Sequence, residues 1–150
     1  MRLKDFSWDK IPPKQVTQAA PVAGAPPGFA SLTVPAGKRW LVVGIFTKCV
    51  MDGNAADRRL SMYATDGTNT VMNTPYSTAT IASKTGYFNF GPLVTTVLQA
   101  IVGTNYFNNI PFAQLPTELP AGYILKVDMA SIQAGDQFDV TRVMLKEAPA

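Results

Sequence analysis

The stretch Arg39-Trp-Leu-Val-Val-Gly-Ile-Phe-Thr-Lys-Cys-Val50 decides the fold. It is dense in β-branched and aromatic residues: Trp40, Val42, Val43, Ile45, Phe46, Thr47 and Val50. Such side chains lose rotamer freedom in a helix and pack well on a pleated surface. Both faces of the segment are largely apolar. It therefore reads as a central strand, or as a strand with one face against a partner. Its longest apolar run, Trp40 to Phe46, spans a strand and not a bilayer.

The flanks extend the β pattern. Phe29-Ala-Ser-Leu-Thr-Val34 alternates, and the turn Pro35-Ala-Gly37 leads into the central stretch. After the turn-rich loop Met51–Asp57, residues Arg58–Thr65 alternate with Leu60, Met62 and Ala64 on one face. Asp66-Gly67 signals a hairpin, with Thr68–Asn73 as the return strand. Residues 74–83 read as a loop or weak edge, and Tyr87–Phe90 as a strand ending at Gly91-Pro92. In 94–102, Val94, Val97, Leu98 and Ile101 fall at helical spacing, but the β-branched content favours a strand. Tyr123–Ser131 places Tyr123, Leu125, Val127 and Met129 inward. In Phe138–Lys146 the inward set shifts from Phe138 and Val140 to Val143 and Leu145, which predicts a β-bulge near Thr141-Arg142.

Many short strands, recurring turns and no secure helix predict an all-β fold: a two-sheet antiparallel sandwich, jelly-roll-like, over residues 29–150. An Ig-like sandwich is the alternative, without the paired cysteines of true Ig domains. Val34-Pro-Ala-Gly and Leu119-Pro-Ala-Gly echo each other 85 residues apart, each a turn feeding a buried strand.

Residues 1–28 differ. Five of the twelve prolines lie between Pro12 and Pro27, among Ala, Gly and Gln. Proline fixes φ and removes donors, so an extended arm is expected in place of a helix or central strand. Phe6, Trp8, Ile11, Pro12, Pro13 and Val16 are candidate anchors with which the arm would dock on a neighbouring subunit; a free linker is the bland alternative. On that reading, removing residues 1–28 leaves the fold intact and weakens attachment.

Composition limits the chemistry. The 150 residues suffice for one domain with a sizeable core. Apolar residues make up 47% and charged ones 15%, a balance that suits a subunit burying surface against others. The net charge of +3 is small and scattered, with Arg58-Arg59 its densest spot, which argues against nucleic acid. Met1–Asp5 is followed by no apolar stretch, and no run suits a transmembrane helix, so no membrane partner is expected.

The chain has no histidine, which excludes imidazole catalysis and His-ligated zinc, and its single Cys49 makes no internal disulfide or thiolate cluster. Cys49 reads as a small core residue. No phosphate-binding glycine motif occurs. Asp52-Gly-Asn54 with Asp57 offers oxygen ligands to calcium, but an Asx-rich turn accounts for it better. No catalytic, cofactor-binding or metal residue is assigned, and no enzyme activity is expected. The most ligand-like segment is Thr104-Asn-Tyr-Phe-Asn-Asn109, expected as a loop in which Asn105, Tyr106 and Asn108 would meet a sugar.

Pro35-Ala-Gly-Lys-Arg-Trp40, the Asp66-Gly67 hairpin, Leu119-Pro-Ala-Gly122 and the Gly135-Asp136 turn before the last strand resemble small structural proteins of tailed bacteriophages. The resemblance covers roughly residues 29–147. It implies a β-sandwich or jelly roll that decorates or cements the capsid. Its partners would be further copies of itself, often as a homotrimer, and the major capsid protein or other virion subunits. Its location would be the virion, after synthesis in the host cytoplasm. A tail or spike component binding a host glycan is the alternative. The resemblance brings no catalytic residues.

Overall fold

The computed structural model describes residues 7–18, 30–74, 77, 79, 82–91, 98–111 and 118–150. A short 3-10 turn, Trp8–Lys10, precedes eleven described strands. They are β1 (Lys14–Gln18), β2 (Ala30–Thr33), β3 (Lys38–Val50), β4 (Arg59–Thr65), β5 (Thr70–Asn73), β6 (Thr85–Gly91), β7 (Leu98–Val102), β8 (Asn105–Pro111), β9 (Glu118–Leu119), β10 (Ile124–Ala130) and β11 (Gln137–Pro149).

The strands form two packed sheets, a β-sandwich. The large sheet has the order β1-β11-β3-β6-β8-β7, with β9 also on β3; the small sheet has the order β2-β10-β4-β5. Pairing is antiparallel except between β6 and β8, which run parallel because β8 enters between β6 and β7. These orders establish the sandwich and do not establish jelly-roll connectivity.

The stretch that reads as a central strand is one. Over its length β3 pairs with β11, from Lys38↔Pro149 to Val50↔Gln137. Its other side meets β9 at Trp40–Leu41 and β6 at Ile45–Val50. The core lies between the sheets: Trp40, Val42, Ile45, Cys49, Phe88, Phe90, Ile110, Val143 and Leu145 from the large one face Leu60, Met62, Leu125, Val127 and Met129 from the small one. This mass of buried hydrocarbon drives the fold.

The β11 parity change is a register shift between Phe138 and Thr141. It turns Thr141 inward, where its hydroxyl lies 2.8 Å from that of Thr47, both side chains buried. A second shift, between Met144 and Leu145, opposes an extra β3 residue and was not foreseen. The two echoing Pro-Ala-Gly segments meet in space: Val34 N–H donates to Tyr123 O, and Gly122 N–H donates to Val34 O, each at 2.9 Å. Gly37 and Gly122 adopt φ of +70° and +85°, as the third position of a type II turn requires.

Two expectations need correction, and one ambiguity is resolved. The loop expected at 104–109 is the start of strand β8, because Tyr106, Asn108 and Ile110 alternate inward against the core. In the ambiguous 94–102 segment, Leu98–Val102 is a strand, while 94–97 lie outside the described residues. The part of the 1–28 arm that is described belongs to the sandwich: β1 pairs with this chain's own β11 over five residues, and Val16 packs against the core. Pro12-Pro13 stop short of β1, so its backbone donors are intact for an edge position.

Candidate interaction face

The outward face of the large sheet carries the features that the core does not explain. The register sets Gln15 and Gly44 beside Met144, Thr17 and Phe46 beside Arg142, Asn89 beside Phe46, Phe107 beside Tyr87, Asn109 beside Asn89, and Ala100 beside Phe107. Residues directly opposite share a face. One apolar and aromatic strip thus crosses β11, β3, β6, β8 and β7: Met144, Phe46, Tyr87, Phe107 and Val102. Phe107 is 41% exposed, Met144 38% and Val102 63%.

The ring geometry determines what this strip can bind. Tyr87 and Phe107 stack at 5.0 Å between centroids with 10° between planes. Phe46 lies 6.4 Å from Tyr87, tilted by 34°. The parallel pair Tyr87↔Phe107 stands its rings side by side, each giving one face to the other. Stacked rings beside an exposed methionine suit apolar packing by a protein surface.

Polar groups frame the strip. Asn89 donates through Nδ2 to Asn109 Oδ1 at 3.4 Å. The Arg142 guanidinium lies 6.0 Å from the Phe46 ring centroid, within cation–π range. Lys48 pairs with Asp139 at 2.5 Å, and the hydrogen bond and charge of Asp139 raise the Lys48 pKa. At Gly44 the missing side chain leaves a shallow depression of about 250 Å³, bordered by Gln15, Phe46, Asn89, Arg142 and Met144.

A second cluster, at one end of the sandwich, is structural. Arg58 is fully buried, and its Nε donates to Asp136 Oδ2 at 2.6 Å. Its other amines donate to Asp52 Oδ1 and, at 3.0 Å, to the carbonyl of Asn54. Asp136 also accepts the N–H groups of Asp52 and Gln133 at 2.9 and 2.8 Å. Burial acts to raise the Asp52 pKa, but hydrogen bonds from Asn54, the Arg58 charge and the Gly135 N–H outweigh it and hold Asp52 below the usual carboxylate range. The cation beside Asp52 is thus the protein's own guanidinium. Among the described residues no group of three metal-ligating side chains gathers. Cys49 lies nearby in the core, its thiol pushed up to about 12, mainly by burial. Arg59, the other half of the basic pair, is exposed and bonds Asp57.

The sequence-derived sites distribute as follows. Trp8 lies on its own chain: its indole N–H donates to Glu118 Oε2 at 3.1 Å, Arg39 sits 5.5 Å above its ring, and Lys146 Nζ donates to its carbonyl at 2.8 Å. Val16 is half-buried in β1, Ile11 is half-buried, and Pro12 and Pro13 are exposed. Phe6 lies outside the described residues. Tyr106 and Asn108 are buried inside the sandwich, and Asn105 is on the outer face beside Val102. The outer strip itself was missed, although the two-sided apolar character of residues 39–50 was its signal.

No protein-family model matches this chain, and none of the curated proteins matches it.

Proposed function

We propose that the protein is a structural subunit of a virion, a capsid decoration or cement protein of the tailed-bacteriophage kind, that holds its neighbours through the outer face of the large sheet. The observation that carries this reading is the strip Met144–Phe46–Tyr87–Phe107–Val102, an apolar surface left in the open on a sheet whose other face already covers the core. Apolar surface grouped on one face marks a docking site. Repetition by symmetry would turn modest contacts into firm attachment, because each further contact forms at high effective concentration. The resemblance supplies the class of partner, a shell subunit.

The glycan-binding alternative is the weaker reading: two of its three residues, Tyr106 and Asn108, face the core.

The test is cosedimentation with shells that lack the protein. Phe107→Asp with Met144→Asp alters two exposed side chains, so the fold should persist, as circular dichroism would verify. Attachment should fall by at least about tenfold, since each change removes apolar contact and buries a charge in the interface. Undiminished attachment by this double variant would sink the proposal.

A further inference from the structure

Strand β7 ends the large sheet. It bonds β8 on one side, and among the described residues no strand pairs with its other side. A two-residue loop, Gly103-Thr104, joins it to β8, with Gly103 at φ +59°, as a type II′ turn requires of its first central residue. The pair closing such a loop, Val102↔Asn105, exchanges both its hydrogen bonds, and the pattern alternates from there. Val102, Ala100 and Leu98 therefore bond inward to β8. The N–H and C=O groups of Gln99 and Ile101 point to the open edge.

Sheet edges are usually guarded by charge, proline, bulges or shortness. The opposite end of the sheet has Pro12-Pro13 before β1 and Lys14 within it. The edge strands β2 and β5 of the small sheet are four residues each. Leu98-Gln-Ala-Ile-Val102 has none of these devices: no charge, no proline and an unbroken register. Ile101 is 58% exposed on the core-side face and Val102 63% on the outer face, while Gln99, on the face of Ile101, donates through Nε2 to the Ala79 carbonyl at 3.2 Å.

We propose that β7 is a self-association edge, at which two copies of this chain join their large sheets by antiparallel pairing about a two-fold axis at Ala100. The outward groups fit themselves under that symmetry. Gln99 of one copy faces Ile101 of the other, and each such pair can exchange both backbone hydrogen bonds. Ala100 faces its own equivalent, where a small uncharged side chain allows close approach. Val102 faces Leu98 of the other copy. With no charge on the strand, no like-charge repulsion opposes the pairing. The two outer strips then lie on one continuous sheet. This edge contact is separate from attachment through the sheet face and stands without it.

Sedimentation equilibrium of the full chain tests it. The wild type should show a reversible monomer–dimer equilibrium. Ile101→Lys should weaken the dimer roughly tenfold or more, by removing apolar burial on both sides of the axis. Ala100→Cys should give a disulfide-linked dimer on oxidation, with buried Cys49 unreactive; this readout holds even if the lysine variant folds poorly. A wild type that stays monomeric at hundreds of micromolar, a trimer indifferent to Ile101→Lys, or a monomer that takes up only unrelated strand peptides would each overturn the proposal.

Discussion

Arg58 Nε donates to Asp136 Oδ2 at 2.6 Å across 78 residues of sequence, with both side chains inaccessible to solvent. The pair ties the loop after β3 to the turn before β11. The same guanidinium reaches Asp52, and the same carboxylate accepts two backbone N–H groups. Arg58 and Asp136 thus link Asp52, Asn54 and Gln133 in one buried network.

Arg58→Met should be strongly destabilising. It keeps the side-chain volume but leaves the Asp136 charge buried and uncompensated, a loss of about 3–5 kcal/mol. Arg59→Met should change stability by less than about 0.5 kcal/mol, because Arg59 and Asp57 are exposed. Urea unfolding of both variants checks the contrast, and equal effects would contradict the structure.

Acid should unfold the protein through a few carboxylates. Hydrogen bonds from Lys14 and Trp40 hold the Glu147 pKa below its ordinary value, against the opposing effect of burial. Backbone N–H groups of Asn69 and Thr68 do the same for Asp66, and Asp52 is lowered as well. A group whose folded pKa is depressed adds stability that is complete above its unfolded pKa and is lost as pH falls through the folded one. Stability should therefore be level near neutrality and decline below about pH 4. Glu147→Gln should flatten part of that decline. Melting temperature followed from pH 7 to pH 2 measures it.

Removing residues 1–18 should destabilise the sandwich itself, contrary to the expectation for a detachable arm. The truncation strips β1 from β11, uncovers the core beside Val16 and breaks the Trp8 contacts with Glu118, Arg39 and Lys146. The loss should be roughly 2 kcal/mol or more, the scale of one buried aliphatic side chain. An unchanged melting temperature in the truncated chain would show that β1 contributes nothing to the fold.

How much was legible followed from how local each signal is. Period-two alternation is a property of neighbouring residues, so Leu60-Met62-Ala64 and Leu125-Val127-Met129 were placed on the core face correctly. The β11 bulge was legible for the same reason, as a parity change within one strand. Strand β8 was misread because its three asparagines, Asn105, Asn108 and Asn109, are turn-favouring residues and outweighed the alternation of Tyr106, Asn108 and Ile110. The pairing of Lys14–Gln18 with β11 was not legible because proline enrichment says what a backbone cannot do and not which edge it meets.

The sequence by itself determined the class of structure: an all-β chain, its central strand, its principal turns, and an absence of imidazole and thiolate clusters. These follow from propensity, periodicity and composition, which act over a few residues. Only the tertiary structure decided which outward faces line up, which acid meets Arg58, and which edge no described strand covers. Those outcomes depend on register and strand order between distant segments, where a one-residue slip carries a side chain from one face of a sheet to the other.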